Sequence, residues 1–290
     1  MCRKCPFCES SNDLTLGSPY KTFFNNNEFH YIKCSKCKIV YINPIPSNHI
    51  LENIYSKNNY HKVFYSDEYS NFKKFFFITL NEISKYLNTK SSFLDYGCGT
   101  GYFLKYLNEK NFLVHGVEFE TSTVEKAKKN SGANVMTIDE FNNSNKKFDF
   151  VYLGDVFEHL GNPIQIINKL IKKINKNGYL CVEGPIERNM SFANYCVIFN
   201  SFIKHLFFSS KKNSHHPYHL LFFNKKQQIK FFYQFNKLKL VKYTLYETGW
   251  PLTNQGFFKN ILASISKLLI KLPFFKIFYG NRIRIILIKL

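Results

Sequence analysis

From about residue 91 the chain alternates short apolar runs with amphipathic stretches. Residues 92–96, 113–118, 134–138, 148–153 and 179–183 have strand length. Between them, residues 101–110, 122–130 and 163–174 repeat apolar positions every three to four residues; Ile164, Ile167, Leu170, Ile171 and Ile174 share one face. Pro163 in the first turn and Asn177-Gly178 after the last read as a helix start and stop. Strands that alternate with helices in this way imply βαβ units and a parallel sheet. Residues 238–246 and 282–288 read as two further strands, with a helix at 225–236 before them.

Upstream, Ile50, Leu51, Ile54 and later Phe72, Phe76, Leu80, Ile83 and Leu87 predict helices over 47–90, joined to the first segment by the rigid Asn43-Pro44-Ile45-Pro46. Near the C-terminus, residues 257–272 set Phe257, Ile261, Ile265 and Leu268 against Lys259, Lys267 and Lys271, and Pro273 ends the helix. That helix reads either as core or, with the aromatic stretch 190–210, as a surface suited to an anionic membrane.

Residues 1–45 have a different texture. Five of the eight cysteines lie in the first 37 residues. Cys5-Pro6-Phe7-Cys8 and Cys34-Ser35-Lys36-Cys37 are two C-x-x-C knuckles around a hairpin strand at Phe29–Lys33. Four thiolates in this spacing make a closed structural Zn²⁺ site, which folds a segment too small to build a core of its own. Cys2 is a spare thiol, and Cys98, Cys181 and Cys196 read as core thiols. The N-terminus lacks the apolar stretch of an export signal, and no run of about 18 apolar residues occurs, so a cytoplasmic protein is expected.

The chain has 290 residues, 45% hydrophobic and 21% charged, which suits a full-sized folded domain with a small appendage. Its net charge of +20 points to an anionic partner. Only four of the 40 basic residues are arginine, however, and the lysines occur among many Asn, Ile, Phe and Tyr. A codon bias toward A and T gives the same excess, and phosphate-gripping surfaces favour the arginine fork. Nucleic acid is therefore a disfavoured partner.

The stretch Asp95-Tyr96-Gly97-Cys98-Gly99-Thr100-Gly101 follows the first strand of the alternating region. Its third glycine falls one place too early for a dinucleotide fingerprint, and it opens on an acid that would repel a pyrophosphate. The glycines let the backbone approach a ligand closely. Glu118 ends the next strand 23 residues on, where a carboxylate takes ribose hydroxyls in this topology. A nucleoside carrying a cationic amino-acid tail fits both acids, which is the chemistry of S-adenosylmethionine.

These motifs, with Phe148-Asp149-Phe150-Val151, Asp155-Val156-Phe157-Glu158-His159-Leu160 and Gly178–Pro185, resemble class I S-adenosylmethionine-dependent methyltransferases over residues 90–245. The resemblance implies an α/β, Rossmann-like, seven-stranded, mostly parallel sheet. It implies Asp95, Gly97, Gly99, Gly101, Glu118, Asp139 and Asp155 as cofactor contacts. With the zinc-ribbon-like head at 1–46, a helical connector at 47–90 and the segment Ile39–Ser47, the chain resembles a bacterial subgroup acting on nucleotide-linked sugars and in surface-polysaccharide pathways. The 91–290 domain then carries a lid at 190–220 and a helical insertion at 257–278.

His159, beside Glu158, faces the cofactor methyl in that family's geometry, and His219 matches its recurrent C-terminal histidine. Both are candidate general bases, and each is equally well read as structural. His215 and His216 read as loop residues, and Tyr218 as a candidate for orienting the acceptor. The expected activity is methyl transfer to a small or glycan-type acceptor, a sugar hydroxyl or carbon favoured, with a lipid-linked acceptor consistent with membrane contact. An RNA or protein methyltransferase and a non-catalytic scaffold remain the alternatives.

Overall fold

A computed structural model describes residues 4–11, 14–55, 69–208, 217–253, 256–277 and 279–290. His215, His216 and Cys2 lie outside these residues, as does part of the expected lid.

Seven strands form the main sheet: β4 (Ser92–Tyr96), β5 (Leu113–Glu118), β6 (Asn134–Thr137), β7 (Phe148–Gly154), β8 (Ile174–Pro185), β10 (Leu238–Tyr246) and β11 (Arg282–Lys289). Their order is β10-β11-β8-β7-β4-β5-β6. All neighbours are parallel except β11, which runs antiparallel to β8 and β10. The parallel α/β sheet expected from the alternation, and the seven-stranded Rossmann-like form that the resemblance implies, are those observed. Phe93, Leu94, Phe150, Val151, Leu180 and Val182 are buried on both faces of the central strands, as a sheet covered by helices requires.

The helices are α1 (Asn48–Tyr55), α2 (Lys73–Ile83), α3 (Tyr102–Asn108), α4 (Thr121–Ser131), α5 (Ile138–Asn143), α6 (Pro163–Lys173), α7 (Phe192–Phe208), α8 (Lys225–Phe232) and α9 (Phe257–Leu269). Local chemistry sets several starts. Thr137 and Glu140 form a capping box on α5, as do Asn224 and Gln227 on α8. Asn162 caps α6 through Gln165 N, with Pro163 at the first position.

One boundary differs from expectation. Helix α6 ends at Lys173, and Asn177-Gly178 lies inside β8 instead of stopping the helix. The β7–β8 register shifts there, Phe148 pairing with Ile174 but Phe150 with Tyr179. Asn177 takes φ 61° and the backbone of Gly178 runs against Asp149 O, where an added Cβ would sit 2.9 Å away. The pair is therefore a bulge, a second structure that suits Asn-Gly.

The buried ion pair of Glu183 and Arg284 ties β8 to the antiparallel β11. Arg284 Nη2 reaches Glu183 Oε1 at 2.7 Å and Nε reaches Oε2 at 2.9 Å. Tyr152 and Tyr246 hydroxyls donate to the same carboxylate at 3.0 and 2.5 Å, so every lone pair of a fully buried charge is used.

The head has more sheet than its one expected strand. β1 (Leu14–Phe24) and β2 (Asn27–Cys34) form a hairpin, β3 (Val40–Asn43) joins β2, and β9 (Leu221–Phe222) adds to β3. The fourth strand thus comes from 180 residues further along the chain. Phe7, between Cys5 and Cys8 of the first knuckle, packs 4.5 Å from Phe231 and about 6 Å from Phe223 and Phe157. One hydrophobic core runs from Cys5 and Ile39 through to Leu94 and Ile285.

The core reading of α9 is overturned. The helix is buried through Ala263 and Ser266, while Phe257, Phe258, Ile261, Ile265 and Leu268 face outward.

Candidate functional site

The glycine loop leaves the carboxyl end of β4 and turns into α3. Gly97 N and Cys98 N both donate to Val117 O, at 2.8 and 3.1 Å, which folds the loop over the end of β5. Gly97 has φ 84° and leaves room for Val156 Cγ2, 2.5 Å from where a Cβ would stand. Gly101 has φ 78° and lies against the Ala127 backbone, its absent Cβ 2.8 Å from the carbonyl oxygen. A side chain at either position is excluded twice, by conformation and by space.

Two acids meet at this loop. Asp95 is buried, and burial followed by the charge of Glu118 pushes its carboxyl up to about 8. Burial also raises Glu118, although its oxygens accept from Gly99 N at 2.7 Å and Phe119 N at 2.6 Å. A cation placed between them would reverse both shifts. Glu118 keeps further lone pairs for hydroxyl donors, since a carboxylate offers about four acceptor positions. The donor set thus fits a nucleoside with an ammonium and a sulfonium. Asp139 is exposed in the first turn of α5, after β6. Asp155, at φ 53° after β7, holds Arg282 Nη2 at 2.5 Å.

The segment after β7 carries the second cluster. A short 3₁₀ turn, Phe157–His159, buries Glu158, whose side chain is pressed against Gly184 of β8. His159 Nδ1 bonds to Tyr218 O at 2.6 Å, and Leu220 N donates to Glu158 O at 2.9 Å. Residues 218–220 are thereby laid along 158–159, and the two imidazole rings stand 4.9 Å apart, edge to face. His219 Nδ1 also bonds Glu187, from the loop after β8. Both histidines are therefore brought to the carboxyl end of the sheet, beside the glycine loop through the Val156–Gly97 contact.

Electrostatics divide the two rings. Burial would pull His219 down, but the Glu187 carboxylate on Nδ1, backed by Glu158 and Asp155, carries it up to about 9. Burial and then the charge of His219 hold His159 down at about 3. Burial and then Asp155 push Glu158 up to about 8, and neither of its oxygens meets a hydrogen-bond partner among the described residues. At neutral pH the set reads as an imidazolium–carboxylate pair beside a neutral imidazole and a neutral carboxyl. Glu187 carries no sequence signal, because only the return of residues 218–220 brings His219 to it.

The four head cysteines converge as their spacing predicts. Cys5 and Cys37 sulfurs are 3.7 Å apart, as are those of Cys8 and Cys34, and all four lie within 4.8 Å of one another. A tetrahedron with Zn–S bonds near 2.3 Å has edges of about 3.8 Å. Both knuckles turn through a left-handed residue just after the second cysteine, Glu9 at φ 55° and Lys38 at φ 63°. The hydrogen bond to Cys37 brings Cys5 down to about 6 and sends Cys37 up, while burial pushes Cys8 up to about 11. Four thiolates crowded this closely need a dication to remain ionised together.

A family model described as a methyltransferase domain matches residues 70–215, half of the chain. The chain belongs to this methyltransferase domain family. A malonyl-[acyl-carrier protein] O-methyltransferase of Calditerrivibrio nitroreducens is 30% identical over 148 residues, 47% of this chain and 56% of that protein. The chain therefore aligns with little more than half the length of that curated relative. Among solved structures, magnesium protoporphyrin IX methyltransferase from Synechocystis PCC 6803 with bound SAH superposes with a TM-score of 0.55 at 12% identity, over 84% of this chain and 100% of that one. The plantazolicin methyltransferase, in complex with SAH and a desmethyl analogue, gives 0.51 at 17% identity, over 83% and 94%. At these identities the likeness is one of fold. No helix among the described residues is long and apolar enough to cross a membrane.

Proposed function

We propose that the protein transfers a methyl group from S-adenosylmethionine to a hydroxyl of a small or glycan-type acceptor, a sugar in nucleotide-linked or lipid-linked form being favoured. The observation that carries this reading is the pairing of one buried and one half-buried carboxylate, Asp95 and Glu118, at the glycine loop with a histidine–carboxylate cluster at the same edge of the sheet. The malonyl-[acyl-carrier protein] O-methyltransferase and the fold neighbours named for magnesium protoporphyrin IX and plantazolicin differ widely in acceptor, so the acceptor must be read from this chain's own cluster.

When bound, S-adenosylmethionine supplies a methyl on a sulfonium, open to in-line attack. Asp95 would sit near the cationic amino-acid part, Glu118 would bind the ribose hydroxyls, and Asp139 and Asp155 would flank the nucleoside. On the acceptor side, His219 Nε2 takes the hydroxyl proton once its imidazole is neutral, with Glu187 holding Nδ1–H. Glu158, neutral and unpaired, offers a hydrogen bond to a second acceptor hydroxyl. A sugar presents such vicinal hydroxyls; an apolar acceptor would leave this buried carboxyl unpaired. His159 fixes the 218–220 segment through Tyr218 O. The head, whose Cys5, Cys8, Cys34 and Cys37 would hold Zn²⁺, seats the strand that follows His219.

The test is a turnover screen with S-adenosylmethionine against nucleotide sugars and lipid-linked sugars, following release of S-adenosylhomocysteine. Turnover with a sugar acceptor, lost in His219→Ala, is the expected result. Binding of S-adenosylmethionine without turnover on either class, but with turnover on RNA or a protein, would overturn the acceptor assignment.

A further inference from the structure

The outward apolar face of α9 is maintained by small residues on its inner side. Ser266 Oγ accepts from Ala193 N at 3.1 Å and bonds the Tyr279 hydroxyl at 2.7 Å. Ala263 lies under Gly249, whose absent Cβ would stand 2.8 Å from the Ala263 Cβ. This contact admits no large side chain, so the helix is fixed with its bulky residues outside. Phe257 and Phe258 are 75% and 80% exposed, and Leu268 is 61% exposed. At about 100° per residue, Phe257, Ile261, Ile265 and Leu268 form one continuous stripe, and Leu272, just past the helix end, is 48% exposed. Lys267 and Lys271 border it. Beyond the helix, Phe274 at 74% and Ile277 at 66% continue the exposed apolar surface.

Charge is divided unequally along the chain. Of the 20 acidic residues only Glu247 follows Glu187, whereas 17 of the 40 lysines and arginines do. Glu247 is itself buried. A codon bias acts on the whole chain and leaves the first 187 residues rich in carboxylates, so it does not account for their loss from the last 103. The part of the protein that carries the apolar stripe is also the part stripped of negative charge.

We propose that α9 is an interfacial membrane anchor, lying in the plane of a bilayer with anionic headgroups. The stripe enters the acyl boundary, while Lys267 and Lys271 on its border reach the headgroups. A second copy of the chain suits this face poorly, because pairing the stripe with itself sets lysine against lysine with no carboxylate on the helix to answer. A spanning role is ruled out for α9 by its length of 13 residues.

Trp250 reports the binding. It is the one tryptophan of the chain, 47% exposed, in the turn whose Gly249 backs onto α9. Vesicles of phosphatidylcholine with about a quarter phosphatidylglycerol should shift its emission to the blue and carry the protein down on sedimentation, whereas pure phosphatidylcholine should do neither. Replacing Lys267 and Lys271 by alanine should weaken binding to the anionic vesicles by about five-fold per lysine at low salt. The variant Phe257→Ser/Phe258→Ser/Leu268→Ser should keep its circular dichroism and its affinity for S-adenosylmethionine, because these side chains are exposed, yet lose the vesicles. No binding by the parent protein overturns the proposal, as does equal binding to both vesicle types. A concentration-dependent dimer that the serine variant abolishes, without vesicle binding, would also overturn it and make the face a self-interface. None of these readouts requires the protein to turn over.

Discussion

Phe7→Ala tests whether the cysteine head holds the histidine cluster in place. Phe7 is 4% exposed and contacts three aromatic rings of the C-terminal half, at 4.5 to 6.3 Å. Truncating a buried phenylalanine costs about 3–5 kcal/mol, through lost transfer free energy and the cavity left behind. Because the head shares one core with the main sheet, the loss bears on the whole domain. At roughly 2–4 °C per kcal/mol for a domain of this size, the midpoint should fall by about 6–20 °C. The local effect is more diagnostic. Ile42 N donates to Leu220 O at 3.0 Å, and Val40 pairs with Phe222, so a loosened head should release the strand directly after His219. Hydrogen exchange read by mass spectrometry should accelerate in peptides covering 218–223, while peptides over 93–104 keep their protection and the affinity for S-adenosylmethionine stays within about two-fold. Unchanged exchange at 218–223 together with a lowered midpoint would refute the coupling and leave Phe7 a core residue only.

Turnover, once an acceptor is found, should rise with pH up to about 9, because the neutral imidazole of His219 is the acting form and Glu187 holds it protonated below that. Glu187→Gln should move the break down toward the ordinary imidazole range, whereas a flat profile would instead implicate His159, neutral above about 3. The same His219–Glu187 pair stabilises the fold fully below the ordinary imidazole pKa and loses that contribution as pH climbs through about 9. Arg284→Ala strands the buried Glu183 carboxylate and should destabilise the protein by about 3–5 kcal/mol, whereas a change under 1 kcal/mol in denaturant melts would mean the charge is relieved elsewhere. Metal analysis should give one zinc per chain, and Cys34→Ser should lose it and melt at a lower temperature; a full complement of zinc in that variant would reject the four-sulfur site.

The main sheet was legible because its strands are short, apolar and separated by helices with clear periodicity, from Phe93-Leu94 through Ile283–Ile288. The glycine loop and its two acids were legible for a different reason: the spacing from Asp95 to Gly101 and on to Glu118 is dictated by backbone geometry. The knuckle cysteines share that property. Contacts between distant segments were not legible. Strand β9 is two residues long and exists only because β3 offers it an edge, and Glu187 meets His219 only through that docking. Asn177-Gly178 carries the same signature for a helix stop and for a bulge. The pattern left the orientation of α9 open between core and surface, because an apolar stripe normally faces inward; Ala263 and Ser266, small and set against α7, decide for the surface, and a wheel of hydrophobicity gives them little weight.

The most direct test is calorimetric titration of S-adenosylmethionine into the protein and into Glu118→Ala. One site per chain is expected, weakened in the variant by about 1–3 kcal/mol, the cost of charge-assisted hydrogen bonds left unmade. No binding by the parent protein would contradict the account at its centre, and equal affinities would remove Glu118 from the ribose.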